Sequence, residues 1–396
     1  MKLFQKDELK LLGPFYIEKF LSHILYFAPA FWVLQFQQHL SLFQIGILFS
    51  VLAITTFLFE IPTGAFADLF GRKTSVLFGY FMTGVSILLL YLNTNFIILI
   101  GVFALWGFAQ TFTSGAKESW VIDNLKYHKK KNLIDDFFIK QQSIIGFSLV
   151  MAGFLGAYVV SIFGLNIIWL FASLSFFASF LLLSMVKEHK LTKEKKKGFR
   201  ELFSQSKKSI KFAVGHKIIL FLLFATFFVM FRDSFGGDLV WQPFLKGLSF
   251  PIFAFGFLFS GMTLVMAIAP IFTKPLLKKF KSKKSYLAFL ILCSIILDFS
   301  VLFVNNYYLG IVLLGLMFAS ISLFMPIADS YFQSFIPSKM RATITSFNGM
   351  VIALAYAVSS PVAGAIADKI TPQYTIVLGG IFLIPALIFY LKIGKK

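Results

Sequence analysis

Charged residues, cysteines and histidines are all scarce in this chain. Only 14% of its 396 residues are charged, against about 25% in ordinary soluble proteins. The single cysteine, Cys293, excludes an intrachain disulfide, and we interpret it as a small hydrophobic core residue. The five histidines show no metal-ligand spacing, and no Gly-Lys-Ser/Thr phosphate loop occurs. We therefore expect no metal, no cofactor, no ATP drive through such a loop and no enzymatic activity.

Apolar side chains, by contrast, are in excess. The chain is 58% hydrophobic with a mean hydropathy of +0.83. It supplies about 230 apolar side chains, close to the ~240 that twelve helices of ~20 residues need to cross a bilayer. These values exclude a soluble domain and predict an all-α membrane protein with twelve transmembrane helices. The predicted spans are residues 15–37, 43–66, 74–92, 96–117, 141–163, 166–186, 218–240, 251–273, 285–304, 307–333, 343–367 and 375–392.

The distribution of positive charge predicts how the chain is oriented. The net charge is +20, which in a soluble protein would favour nucleic-acid binding, but here the basic residues lie in short segments between the spans. With the N-terminus inside, all basic residues except Lys246, Lys369 and Arg232 fall on cytoplasmic segments. The positive-inside rule predicts a multi-pass protein of the cell (inner) membrane with both termini cytoplasmic. We expect the lipid bilayer, and no nucleic acid, as its surroundings. The Lys, Phe and Ile richness favours a bacterial source.

The longest polar segment divides the chain into two halves. We predict an N-terminal six-helix bundle over residues 1–186, a basic cytoplasmic linker over 187–217 and a C-terminal six-helix bundle over 218–396. Within the linker, residues 199–212 mix Phe, Leu and Ile with Lys, a pattern typical of an interfacial amphipathic helix. A solvated linker is the alternative.

Short internal repeats indicate that the two halves are related. Gly46-Ile-Leu-Phe-Ser50 in span two is matched by Gly256-Phe-Leu-Phe-Ser260 in span eight. Glu118-Ser-Trp120 near the end of span four is matched by Asp329-Ser-Tyr331 near the end of span ten. These matches predict two pseudo-symmetric six-helix bundles related by an axis along the membrane normal, an arrangement that suits transport through a cavity between them.

The most specific motif runs from Glu60 to Lys73, where span two meets the predicted cytoplasmic side. Its pattern is Gly, three residues, Asp, two residues, then Gly-Arg-Lys. This resembles the signature loop between helices two and three of the major facilitator superfamily (MFS), and the closest pattern is that of bacterial drug-efflux-like members. With the twelve spans, the linker and the half repeat, the resemblance covers essentially the whole chain. It implies the MFS fold and secondary transport. The matching residues are Gly64, Asp68, Gly71, Arg72 and Lys73.

The resemblance also implies a gate. In the family, the equivalent Asp and Arg belong to a charge cluster that closes the cytoplasmic side, a role we expect of Asp68 and Arg72, with Asp123 as the acid that pairs with Arg72. Independently, Asp68 near a helix C-terminus is unfavourable unless its charge is compensated, and Gly64 allows two helices to approach closely. A purely structural role is the alternative for this set. Lys73 is equally interpreted as a determinant of topology.

Ionisable residues inside spans are candidates for function because they are costly in lipid. Glu60 and Glu118 are candidates for proton binding, or further members of the gate cluster. Arg232 and Asp233 are adjacent in span seven and point about 100° apart on a helix; Asp233 is the candidate for substrate or proton contact. Glu18 and Lys19 are interpreted as snorkelling or as paired with each other, and Asp298 as paired in the core.

In the family, helices one, four, seven and ten normally line the substrate cavity. Aromatic walls suit an apolar or cationic organic compound, although with 54 Phe the same residues could equally be core. Span five lacks the Gly-Pro step common in antiporters of the family, whereas span eleven has a Pro among small residues in Ser360–Gly364. The cavity candidates are Tyr26, Phe31, Gln35, Trp106 and Gln110.

We therefore expect a monomeric secondary active transporter that moves a small organic solute by alternating access. The leading version is proton-coupled efflux of hydrophobic or cationic compounds. Proton-coupled uptake of a small metabolite is the alternative. A polytopic membrane enzyme or receptor that does not transport is a remote one.

Overall fold

The structure is a computed structural model that describes residue 4, residues 7–189 and residues 210–393, and within these ranges it contains helices and no strands. The predicted all-α class is confirmed. In chain order the α-helices are α1 Glu8–Ile24, α2 Trp32–Phe36, α3 Leu42–Phe70, α4 Arg72–Leu92, α5 Phe96–Thr111, α6 Ala116–Tyr127, α7 Leu133–Phe163, α8 Ile167–Ser184, α9 Lys217–Gly236, α10 Trp241–Gly247, α11 Ala254–Ile268, α12 Thr273–Leu277, α13 Lys283–Ser300, α14 Tyr307–Gln333, α15 Arg341–Lys369 and α16 Pro372–Lys392.

Several of these helices begin where the sequence supplies a capping side chain. The side chains of Asn95, Ser282, Asn306 and Thr371 each accept a hydrogen bond from an amide in the first turn of the following helix. Such caps satisfy amides that have no partner inside the helix. Local sequence thus fixes the starts of α5, α13, α14 and α16.

Eleven of the twelve predicted spans coincide with helical segments of the structure. Within the described ranges, eleven helical segments are long and apolar enough to cross a membrane, and the first predicted span falls on α1 and α2. The helices do not follow the predicted limits 15–37, because helix begins at Glu8 and is interrupted between Ile24 and Trp32. Pro29 starts a short 3-10 turn there, and its missing amide prevents regular helix from continuing.

Spans four and seven are interrupted as well. Span four continues past its predicted end at residue 117, but α5 stops at Thr111 and α6 starts only after Gly115, which adopts a φ of 66°. Glu118 therefore lies in the first turn of a new helix, α6. In span seven, α9 ends at Gly236 and α10 begins after a short break.

The chain forms two compact units. Unit 1 comprises Met1–His39, Val51–Glu194 and Pro251–Thr263, and unit 2 comprises Leu40–Ser50, Lys195–Phe250 and Leu264–Lys396. Compared with the predicted division at 1–186 and 218–396, the segments 40–50 and 251–263 are exchanged. Of the predicted linker, residues 190–209 lie outside the described residues, as does most of the predicted amphipathic helix.

Each unit is built from closely packed helices. In unit 1, α1 packs on α7 and α8, and α4 packs on α8. Phe15, Trp120 and Phe137 lie in its buried core. In unit 2, α9 packs on α15 and α16, and α13 packs on α16. Many large apolar side chains remain exposed on the helices, for example Phe163 and Leu316, as expected for surfaces that face lipid.

Candidate functional site

The turn between α3 and α4 carries the first charged cluster. Gly71 adopts a φ of 109° between the two helices, a conformation that glycine allows without strain. Arg72, the first residue of α4, forms an ion pair with Asp123 of α6 and donates to the Ser119 carbonyl at 2.8 Å. Arg72 and Asp123 side chains are 32% and 23% exposed. The structure thus brings together the Arg and the acid that the resemblance implies.

Two further contacts fix this turn. The Arg72 amide donates to Glu188 Oε1 at 2.7 Å, and the Lys73 ammonium donates to the Ser184 carbonyl at 2.6 Å. A carboxylate at a helix N-terminus and a cation at a helix C-terminus both complement the helix dipole. Sequence reasoning missed Glu188 because it lies at the start of a basic segment that predicts only orientation.

The preceding part of the motif, at the end of α3, is largely exposed. Asp68 lies exposed in the last turn of α3. The helix contact expected at Gly64 is absent among the described residues, since an added Cβ would meet no atom within 4 Å. The reason is that this end of α3 is largely exposed, as Ile61 and Leu69 show.

The two acids predicted as proton-binding candidates have different surroundings. Glu60 is exposed and accepts a hydrogen bond from the Ser114 hydroxyl at 2.7 Å. Glu118 is half-buried in the first turn of α6, where a carboxylate is favoured by the helix dipole. Glu60 thus contacts the break between α5 and α6, whereas Glu118 lies just after that break.

A buried charge cluster lies inside unit 1. Glu18 of α1 is fully buried and pairs with Lys117 of α6, with Nζ 3.1 Å from Oε2. The Tyr80 hydroxyl of α4 donates to Glu18 and accepts from Lys117 Nζ at 3.0 Å. The interpretation that Glu18 pairs with Lys19 is wrong. Lys117 was missed because it is the last residue of predicted span four (96–117), and its position inside the span limits was the available signal.

Unit 2 contains a second buried ion pair. Arg232 of α9 binds Asp298 of α13 through two hydrogen bonds, Nε to Oδ2 at 2.8 Å and Nη2 to Oδ1. Asp298 is fully buried, so its interpretation as paired in the core is confirmed. The adjacent Asp233 points elsewhere and accepts a hydrogen bond from the Tyr356 hydroxyl of α15 at 2.7 Å.

Arg232, Asp233 and Tyr356 border a cavity of about 160 Å³ within unit 2. Its walls are mostly apolar and include three methionines, while Arg232, Asp233, Ser294 and Tyr356 supply the polar groups. The cavity therefore offers one carboxylate that has a phenol as its partner, set in an apolar wall. The remaining lining residues are Val229, Met230, Ile291, Met317, Ile321, Phe324, Met325 and Leu383.

The predicted cavity residues of unit 1 have contacts of a structural kind. The buried Gln35 amide accepts from Trp169 Nε1 at 2.9 Å and donates to Asn166 Oδ1 at 3.2 Å, which joins α2 to α8. Phe31 is fully buried and Trp106 is 2% exposed. Tyr26 and Gln110 are half-buried, on different elements of unit 1.

Comparison with known proteins gives a consistent result. The sequence model of the Major Facilitator Superfamily matches residues 20–253 and 222–396. An uncharacterised MFS-type transporter, YxaM, of Bacillus subtilis (strain 168) is 25% identical over 378 residues, covering 93% of this chain and 92% of that protein.

Solved structures share the fold. The nucleoside transporter NupG matches with a TM-score of 0.79 at 14% identity, over 98% of this chain and 100% of that one. An auto-inhibited POT family peptide transporter matches with a TM-score of 0.78 at 13% identity, over 98% of both chains. The matched family covers most of this sequence, and the fold, the helices long enough to span a membrane and the loop motif agree with it. The chain belongs to the Major Facilitator Superfamily and is a multi-pass secondary transporter.

Proposed function

We propose that this transporter exports a hydrophobic or cationic organic compound in exchange for protons. The observation that carries this proposal is the Asp233 carboxylate in the wall of the unit 2 cavity. A proton and an organic cation can each neutralise that carboxylate. Because the two compete for one group, binding of one favours release of the other, and this competition is the physical basis of exchange.

The local charge balance supports this role. Arg232 is neutralised by its two hydrogen bonds to Asp298. Asp233 accepts from the Tyr356 hydroxyl, and within the described ranges it forms no ion pair. A charge inside the membrane that lacks a counter-charge is costly. The cavity is therefore short of one positive charge, which a proton or a cationic substrate supplies.

The apolar wall supports a hydrophobic substrate. Met230, Met317 and Met325 line the cavity together with Phe324. Methionine side chains are unbranched and polarisable, so they adapt to ligands of different shape. Such surfaces are typical of proteins that bind several partners. A compound with a compact apolar body and one positive charge fits both features.

A gate at the other unit completes the proposed mechanism. The Arg72–Asp123 ion pair and the neighbouring Asp68 would lock the cytoplasmic side in one state of an alternating-access cycle. Neutralisation of Asp233 or Glu118 by a proton would change which state is favoured. In this scheme the transporter works as a monomer, in the cell membrane, with both termini in the cytoplasm.

The test uses everted membrane vesicles that are acidified inside and contain a pH-sensitive dye. Lipophilic cations and neutral hydrophobic compounds are added one at a time. We expect wild-type vesicles to release protons on addition of a cation. Asp233→Asn should reduce this release at least about tenfold, because the neutral amide can neither bind a proton nor neutralise a cation. Asp135→Asn, at an exposed acid of α7, is the matched control and should behave as wild type.

Two results would contradict the proposal. Full proton release by Asp233→Asn would exclude that carboxylate as the exchange site. No response to any compound, with the protein present at normal levels, would favour uptake of a small metabolite, which the same vesicles can test by substrate-driven proton movement in the opposite direction.

A further inference from the structure

The turn between α12 and α13, in unit 2, concentrates positive charge. The eleven residues 274–284 contain six lysines and no acid. The turn between α3 and α4 in unit 1 differs, since it carries Asp68 beside its Arg72 and Lys73. The turn of unit 2 therefore has no negative charge of its own. Its lysines are Lys274, Lys278, Lys279, Lys281, Lys283 and Lys284.

Two of these lysines are used by the fold. The half-buried Lys283 donates from Nζ to Ser330 Oγ of α14 at 2.8 Å. Lys284 donates from Nζ to the Leu391 carbonyl at 3.0 Å and to the Ile393 carbonyl, at the end of α16. A cation at a helix C-terminus complements the helix dipole. These two side chains thus attach the turn to α14 and α16.

The other four lysines are exposed, and the described residues give none of them an ion pair. Lys278 follows α12 with helical backbone angles, and its amide donates to the Lys274 carbonyl at 3.2 Å. The two side chains therefore lie one turn apart on the same helix face, where like charges repel each other. An anion bound between them would remove that repulsion.

The backbone that carries these lysines is held in place by aromatic packing. The Phe280 ring lies 5.5 Å from the Tyr286 ring and 5.1 Å from the Phe289 ring, centroid to centroid. Tyr286 is fully buried, and its hydroxyl donates to the Leu323 carbonyl at 3.1 Å. The Phe280 amide donates to the Leu277 carbonyl at 3.1 Å. A ligand that binds here does not have to order the turn, which lowers the entropy cost of binding.

Exposed apolar side chains adjoin the lysines on both sides. Ile271 and Phe272 directly precede α12, and Phe289 and Leu292 lie on α13; all four are exposed. Both flanking segments, 254–277 and 283–303, are long and apolar enough to cross a membrane. The free ammonium groups therefore lie where the apolar surface ends. In a membrane protein this is the level of the lipid headgroups.

We propose that residues 271–281, which we call the lysine turn, bind an anionic phospholipid. The four exposed ammonium groups attract its phosphate, and the exposed side chains of Ile271 and Phe272 contact its acyl chains. A zwitterionic lipid carries its own cation beside the phosphate, so it gains less from the lysines. A free phosphate compound gains nothing from the apolar side chains. This inference does not depend on the proposed exchange of protons.

Lipid binding can be separated from the effect of the same lysines on orientation. The positive-inside rule depends on how many Lys and Arg residues a segment holds. Lys274→Gln combined with Lys278→Gln leaves four of the six lysines, so the orientation should not change. Both residues are exposed, so the double substitution should not disturb the fold. Any change in lipid binding then reports on these two positions.

The first test measures affinity. Native mass spectrometry of the purified full-length protein in neutral detergent counts bound phosphatidylglycerol, or phosphatidylcholine with the same acyl chains. A lysine near an anionic surface strengthens binding about fivefold, so the double Gln variant should bind phosphatidylglycerol at least about tenfold more weakly. Lys274→Arg combined with Lys278→Arg should bind as wild type. Lys126→Gln combined with Lys131→Gln removes two exposed lysines of unit 1 and is the matched control, which should also bind as wild type.

The second test locates the lipid. Phe272→Cys in a Cys293→Ser background carries a fluorophore, and the protein is placed in phosphatidylcholine vesicles with a minor fraction of spin-labelled lipid. We expect spin-labelled phosphatidylglycerol to quench at least about twofold more than spin-labelled phosphatidylcholine. Lys274→Gln combined with Lys278→Gln should abolish this difference. A fluorophore at Ile139→Cys, an exposed position of α7 in unit 1, should be quenched equally by both lipids.

Three results would overturn the lipid site. They are equal quenching by the two lipids at position 272, unchanged phosphatidylglycerol binding by the double Gln variant, and displacement of the lipid by an equal concentration of glycerol 3-phosphate, which would show a site for a soluble anion. These readouts do not depend on which solute or ion is transported. If proton release fails while both lipid tests succeed, the exchange proposal fails and the lipid site stands.

Discussion

Every fully buried carboxylate described here meets a donor of opposite charge. Glu18 meets Lys117, Glu8 meets Lys140 and Asp298 meets Arg232. Removal of two charges from water costs several kcal/mol per ion, and only good geometry with further hydrogen bonds offsets this. In the Glu18 pair the Tyr80 hydroxyl supplies that further bond to both partners. Loss of one member of such a pair therefore lowers the stability of the fold, because the other charge stays buried without a partner.

We therefore expect Lys117→Met to destabilise the protein by about 3–5 kcal/mol, since Glu18 would remain buried and unpaired. The double substitution Glu18→Gln with Lys117→Met should recover most of that loss, because no charge then remains buried. Thermal unfolding of the purified protein in detergent, read by reaction of Cys293 with a thiol dye, measures the difference.

Lys10→Met serves as the comparison for this pair, since Lys10 lies exposed on the same helix α1 and forms no ion pair within the described ranges. A double variant as unstable as Lys117→Met alone would show that the ion pair is not the cause. The sequence alone placed Glu18 beside Lys19 and overlooked Lys117. The true pair joins residues 99 positions apart, and hydropathy carries no information on contacts between helices.

The internal repeat acquires a physical meaning at the level of helices. Gly46 and Ser50 join α3 to α15, and Gly256 and Ser260 join α11 to α7. A Cβ added to Gly256 would lie 2.3 Å from the Gly153 carbonyl oxygen, and the Ser260 hydroxyl donates to the Val150 carbonyl at 2.6 Å. In both copies the glycine permits backbone contact and the serine four residues on binds a carbonyl of the partner helix.

This predicts opposite effects of one substitution at two glycines of α11. Gly256→Ala should lower the stability by about 1–3 kcal/mol, because the added methyl group overlaps backbone atoms that cannot move independently. Gly261→Ala should be neutral or stabilising by up to about 1 kcal/mol, since an added Cβ there meets nothing within 4 Å and alanine favours helix. The same thermal assay compares them; equal effects would contradict the backbone contact at Gly256.

For the whole molecule, hydropathy and charge predicted the helical class and the position of twelve membrane stretches, because both depend on composition over ~20 residues. The interruptions in the first, fourth and seventh stretches were not predicted, since they depend on single Pro and Gly residues within apolar sequence. Nor was the exchange of segments 40–50 and 251–263 between the units. That exchange depends on which small residues meet, and a single sequence does not encode those pairings visibly.

The gate proposal concerns the whole protein, because its effect is measured in turnover and not in local structure. Arg72→Gln breaks the ion pair with Asp123. We expect the maximal transport rate to fall about fivefold, since a partly exposed pair contributes up to about 1 kcal/mol. The Kd of the substrate should stay within about twofold, because neither residue is among those that line the cavity of unit 2. Transport in vesicles and ligand binding to purified protein are measured on the same preparations.

A charge-swap double variant shows whether the ion pair itself sets the transport rate. Arg72→Asp combined with Asp123→Arg restores an ion pair and should recover part of the rate. Recovery stays incomplete because Arg72 also donates to the Ser119 carbonyl, a contact that the swapped pair does not rebuild. Lys126→Gln, which removes an exposed cation of α6, the helix that carries Asp123, should leave the transport rate unchanged. If Kd instead rises in parallel with the loss of rate, Arg72 supports substrate binding and the gate assignment is wrong.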